Sequence, residues 1–268
     1  VRQLFSSLVR GAALGALAFA IFGPIVNLLL WAIAVRWYYP YKLPLSYGLK
    51  YWYDVFRPSS DAFASLGASL VIAFLTVAAC LVIAVPAGLS LARGRLPWRG
   101  AIMLAFLLPQ AFPSITVYIN IARMFYAVGL NGTIPGVALV HVVHGLVFAV
   151  WISSAAFGAI DRDLELAARN MGAGAFRSFV TVTLPLAAPG IMASAIFVFL
   201  ESLDEFTGTY FVGVPDVTTL PLLMFNASIA GNYQIAAITA LVLLVPSVGF
   251  MLFVERFLKA DVMAKVGV

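Results

Sequence analysis

Three acidic residues, Glu201, Asp204 and Glu205, interrupt an otherwise apolar stretch. Each helical residue advances about 100°, so Glu205 falls about 40° from Glu201 and Asp204 about 60° to its other side. The three carboxylates are expected to share one face about ten residues into a helix, and Gly208 to continue that face with open space. One ionisable group at bilayer depth costs about 2.5–3.5 kcal/mol on insertion scales, so such groups line a hydrated pathway, pair internally or meet a cation. Arg123 and backbone donors are the internal partners on offer. Acids so placed also suit the carriage of coupling protons.

Other polar residues carry less chemistry. His141 and His144 stand three apart, yet no third metal ligand lies nearby, and hydrogen-bonded packing is the expectation. Tyr118 and Asn120 are candidates to face a pathway, and Arg123 to snorkel to an interface. The single cysteine, Cys80, sits in an apolar run and reads as a small buried hydrophobe. The phosphate-binding pattern Gly-x4-Gly-Lys-Ser/Thr is missing; Gly94–Gly100 has the wrong spacing and no Lys. Without a nucleophile–base set or metal cluster, the chain does not read as an enzyme and no cofactor is expected on it.

The elements that position these residues follow from composition. Of 268 residues, 63% are hydrophobic and 10% charged, with a mean hydropathy of +1.04. Soluble domains average about 45–50% apolar and about 25% charged, so an ordinary cytosolic enzyme is excluded. A helical span takes about 20 apolar residues, which leaves room for six. The expected class is an all-α polytopic membrane protein forming a single domain over residues 1–268. Its spans fall near 11–35, 63–92, 101–126, 137–160, 191–212 and 235–258. Pro109 and Pro113 are expected to bend the third and Pro246 the sixth. Between the first two, Leu45, Leu49, Trp52 and Phe56 recur at helical spacing and predict an amphipathic surface helix.

The net charge of +5 does not point to nucleic acid, because the basic residues lie between apolar runs. Eleven of the sixteen Lys and Arg fall on the side holding the N-terminus, the Arg93–Arg99 loop, residues 161–190 and the tail. The positive-inside rule then predicts both termini in the cytoplasm.

Residues 161–190 are unusually long and polar for a connector. Leu164, Ala167, Ala168 and Met171 follow i, i+3, i+4, i+7, an apolar helical stripe. Asp161, Asp163 and Glu165 suit the helix N-terminus, and Gly172 stands where a left-handed cap is expected. A second short helix around Phe176, Phe179 and Val180 is predicted to stop before Pro185. A rigid helix with an Ala-Ala face suits docking of another protein and equally suits folding back on its own bundle.

Ala167-Ala168, three residues, Gly172, nine residues, then Val182-Thr183-Leu184-Pro185 resembles the EAA loop of binding-protein-dependent (type I) ABC importer permeases. One departure stands out: Leu166 directly precedes the Ala pair and Glu165 lies one residue earlier. The resemblance covers roughly residues 60–260 and favours docking. It implies ATPase-coupling roles for Glu165, Leu166, Ala167, Ala168, Met171, Gly172, Leu184 and Pro185. It also implies a bacterial inner-membrane location and an assembly with a second permease (a heterodimer), two ATPase subunits carrying ATP and Mg, and an extracytoplasmic solute-binding protein. The span-five segment resembles the spermidine/putrescine branch, which implies that Glu201, Asp204, Glu205 and Gly208 line the route of a small amine-containing solute. Relatives with similar segments include importers proposed for 2-aminoethylphosphonate, thiamine or ferric ion, so the segment does not fix the solute. A proton-coupled secondary transporter using the same acids is the alternative.

Overall fold

The computed structural model describes residues 2–58, 60–94 and 96–266, with side chains over 10–58, 60–94 and 96–256. Arg95, counted above among the basic loop residues, lies outside them, as do the side chains of Arg2, Lys259 and Lys265. In order come α1 (Arg2–Ile33), β1 (Ala34–Arg36), β2 (Ser46–Tyr47), α2 (Lys50–Val55), α3 (Ala62–Arg93), α4 (Arg99–Ala111) and α5 (Ser114–Val128). They are followed by α6 (Ile134–Gly158), α7 (Arg162–Asn170), α8 (Ala175–Ser178), a π segment (Phe179–Thr183), α9 (Leu184–Asp204), α10 (Thr207–Val212), α11 (Leu220–Ile229) and α12 (Tyr233–Val266). Among the described residues, five helices are long and apolar enough to cross a membrane, or six if the bent pair α4–α5 counts as one.

The chain divides into two compact units, one of residues 1–63 with 223–242, the other of residues 64–222 with 243–268. In the first, the predicted amphipathic helix shrinks to α2, and Leu45 and Leu49 fall outside it. Pro40 and Pro44 oppose a helix upstream, and the freed backbone pairs instead as an antiparallel ladder, Ala34–Arg36 with Ser46–Tyr47. Trp52 donates its indole N–H to the Ala32 carbonyl at 2.8 Å, fixing α2 beneath the end of α1.

The second unit is built around α6. Thr133 caps it by accepting from Gly136 N–H at 3.1 Å, with Pro135 in the first turn. Small residues bring neighbours close: a Cβ on Gly88 would sit 2.9 Å from Ser153 Cβ of α6, and one on Gly145 would sit 3.1 Å from Val198 of α9. Cys80 is fully buried here among Ala73, Ala84, Val150 and Phe199, as expected.

Two spans differ from expectation. The third is not merely bent: Phe112 is extended, Pro113 starts the next helix, and α4 meets α5 at 94°. Pro113 Cδ crowds the preceding residue out of helical backbone, whereas Pro109 stays inside α4. The helix around Phe176 does not stop before Pro185. It continues through the π segment into α9, making one apolar run, Ala175–Asp204. The wider hydrogen-bond step of the π segment carries the chain past a residue with no N–H to donate.

Candidate functional site

The three acids do not share one helical face. α9 begins at Leu184, so Glu201 lies about 26 Å along it, and Asp204 is its last residue. Both sit at the end opposite the 161–183 segment. Glu201 is half-buried and Asp204 exposed. Glu205 has left the helix, with φ −79° and ψ 113°. Its Oε1 accepts the Gly208 N–H at 2.8 Å and its Oε2 accepts the Tyr118 hydroxyl at 2.7 Å. The 100° extrapolation fails because this carboxylate caps the short helix that follows, α10. Gly208 is not in open space either: a Cβ there would meet Val140 and come within 3.3 Å of the Tyr118 ring.

Tyr118 is fully buried on α5, and His144 Nδ1 lies 2.6 Å from its hydroxyl oxygen. A phenol has one proton, and it goes to Glu205. His144 must therefore donate from Nδ1, which fixes its tautomer. His141 Nδ1 meets the Ser202 hydroxyl at 2.8 Å, and its Nε2 meets that of Thr209 at 3.0 Å. The histidines thus join α6 to α5, α9 and α10 as packing residues, and the described residues hold no metal-ligand cluster. This network was not anticipated. A tyrosine and two histidines in apolar runs signal that partners exist, because buried polar groups are satisfied, but their spacing does not say which. Asn120 is exposed and donates to Thr116 O at 2.8 Å. Arg123 is exposed as well. The described ion pairs, Asp54–Arg57 and Glu165–Arg93, include none of the three acids.

At the other end, Asp161 accepts from Asp163 N–H at 3.0 Å and starts α7. Its C-terminus closes as Gly172 N–H donates to Arg169 O and Ala173 N–H to Ala168 O. That pair of hydrogen bonds requires left-handed backbone, and Gly172 supplies φ +91°. Of the expected stripe only Ala168 turns inward; Leu164, Ala167 and Met171 are exposed, the last at 83%, as is Leu166 outside the stripe. Glu165 faces the protein. It pairs with Arg93 at 3.1 Å and accepts from Thr183 at 3.0 Å, so one carboxylate ties α7 to the ends of α3 and the π segment. Arg93 also donates to Ile160 O at 2.8 Å, and Arg162 to Arg93 O at 3.1 Å. Leu184 and Pro185 form the first turn of α9 and are half-buried. Arg93→Ala should therefore destabilise the fold by about 1–3 kcal/mol, by leaving a mostly covered carboxylate one partner short. Thermal unfolding of the purified chain checks this.

The family of binding-protein-dependent transport system inner membrane components matches residues 84–260, well over half of the chain. The chain belongs to that family. This permease is 31% identical over 209 residues to the trehalose transport system permease protein SugB of Mycobacterium tuberculosis, covering 75% of each chain. It is 29% identical over 219 residues to the putrescine transport system permease protein PotI of Escherichia coli, covering 78% of this chain and 76% of that one. Among solved structures, a bacterial ABC transporter that imports the acidic polysaccharide alginate superposes with a TM-score of 0.68 at 16% identity, covering 96% of this chain and 97% of that one. The methionine ABC transporter MetNI gives 0.61 at 19%, covering 74% and 95%. At such identities these establish the fold, that of a type I importer permease. This permease is thus a multi-pass inner-membrane transport subunit, not an enzyme. Membership decides against the secondary-transporter alternative.

Proposed function

We propose that this permease forms half of the pathway for a small amine-containing solute, polyamine-like or 2-aminoethylphosphonate-like, in an ATP-driven importer. Its partners are a second, different permease subunit, two ATPase subunits carrying ATP and Mg, and an extracytoplasmic solute-binding protein. One observation carries the solute class: Glu201 and Asp204 lie next to Glu205 with no ion pair described for any of the three. A passing ammonium supplies the missing countercharge. Glu205, occupied by Tyr118 and Gly208, is the acid least available to solute. Residues 164–172 dock the ATPase through exposed Leu166, Ala167 and Met171, while Gly172 ends the docking helix and Glu165, Ala168, Leu184 and Pro185 fasten it to the spans. ATPase closure pulls two such segments together and swings the pathway outward, where the binding protein releases its load.

Uptake into proteoliposomes containing the full complex tests the solute. A diamine or aminophosphonate is expected to enter with ATP hydrolysis; entry of trehalose to the exclusion of amines would refute the amine assignment. Orientation is tested separately. With both termini cytoplasmic, a cysteine replacing Ala173 reacts in intact cells only with membrane-permeant thiol reagents, and one replacing Asp216 reacts with impermeant ones. Buried Cys80 contributes little background. The reverse pattern would invert the topology.

A further inference from the structure

At the end of α1, within the first unit, rings of Trp31, Trp37, Tyr38, Tyr41, Tyr51 and Tyr233 line a cavity of about 700 Å³. Local structure builds it. Trp37 donates its indole N–H to Tyr41 O at 2.9 Å, closing the 37–41 turn. Gly231, at φ +75°, turns the chain from α11 into α12 and presents Tyr233. Trp31 stacks on Trp37 with centroids 4.2 Å apart and leans on Tyr233 at 5.1 Å. The described lining holds no acidic or basic side chain. We propose that this aromatic pocket binds an alkylammonium group, supplied by a lipid headgroup or by a free amine at the membrane surface.

Three observations point to that chemistry. Ring faces carry negative potential and attract ammonium groups without a carboxylate, while anions gain nothing from them. The molecule already makes one such contact, since Lys50 Nζ rests 5.6 Å from the centroid of Tyr51. A neutral polyol can also stack on such rings but needs several fixed polar partners beside them, and of the two amides here Asn232 already caps α12 through Ile235 N–H. The apolar run Arg10–Ile33 is long enough to span, which sets the pocket at the level where headgroups sit. The pocket is independent of the acids of α9, so the proposal stands or falls apart from the solute assignment above.

The test uses the full chain in nanodiscs of phosphatidylglycerol, whose headgroup has no ammonium. Choline is titrated while tryptophan fluorescence is read. A saturable change is expected, with 3,3-dimethylbutanol, the uncharged isostere of choline, binding roughly tenfold more weakly. Trp37→Phe and Tyr233→Phe keep a ring face and should retain binding; Trp37→Leu with Tyr233→Leu should abolish it. Equal binding of the isostere, survival of choline binding in the leucine double variant, or a response to trehalose but not choline each overturns the proposal. Adding phosphatidylcholine separates the sources: displacement of choline identifies the headgroup as occupant, and undiminished choline binding identifies the free amine.

Discussion

Replacing Glu201 by Gln and Asp204 by Asn together should slow solute uptake per assembled complex by roughly 70- to 400-fold. The estimate takes the cost of an uncompensated charge at bilayer depth, about 2.5–3.5 kcal/mol, as the stabilisation a passing ammonium loses. Complex assembly and the affinity of the isolated binding protein should be unchanged, because both acids lie at the end of α9 and neither makes a described ion pair. Glu205→Gln is the contrasting variant. It disturbs a carboxylate that accepts from both Tyr118 and Gly208, so it should lower thermal stability by about 1–3 kcal/mol before it alters transport per folded complex. Uptake in proteoliposomes, normalised to assembled complex, separates the two effects. Full specific activity in the double neutral variant would remove Glu201 and Asp204 from the solute route.

Gly172→Pro should abolish recovery of the ATPase with the permease, and transport with it, while the subunit still inserts. Proline is locked near φ −65°, whereas Gly172 stands at +91° and donates its N–H to Arg169 O. Both features of the cap are lost. Ala168→Trp acts by a second route, forcing a large ring into the only residue of α7 that is buried. Affinity capture of the ATPase from detergent extracts gives the readout. Normal capture together with normal uptake would detach this segment from coupling.

Much of the fold was legible because a spanning helix announces itself by the length of its apolar run. The helices Ala62–Arg93 and Ile134–Gly158 lie within a few residues of their predicted bounds. Apolarity says nothing of where helical backbone pauses, which is why Ala175–Asp204 was read as two elements. Pro185 looked like a stop, and nothing in Phe179–Thr183 advertises the π segment that accommodates it. Likewise Leu45 and Leu49 fit a helical period, but the backbone upstream of α2 was claimed by a strand pairing that only tertiary structure supplies. At the site, Gly172 was readable because a cap follows local rules. The fate of Glu205 was not, since Tyr118 lies 87 residues away and its hydroxyl competes with any role in a shared acidic face. Glu165 was visible as an acid near the Ala pair, while its attachment to Arg93 required the two chain segments to be brought together.

The unbroken run from Ala175 to Asp204 also has a mechanical meaning. Thirty residues at helical rise make a rod about 45 Å long, with one tip beside α7 and the other carrying Asp204. A tilt of roughly 10° about the first tip carries the second through about 8 Å, the scale of a small solute. No flexible connector lies between to absorb the stroke. The π segment lies close to the first tip, so under the coupling proposed above a push at the loop passes through its wider hydrogen-bond step before it reaches the acids.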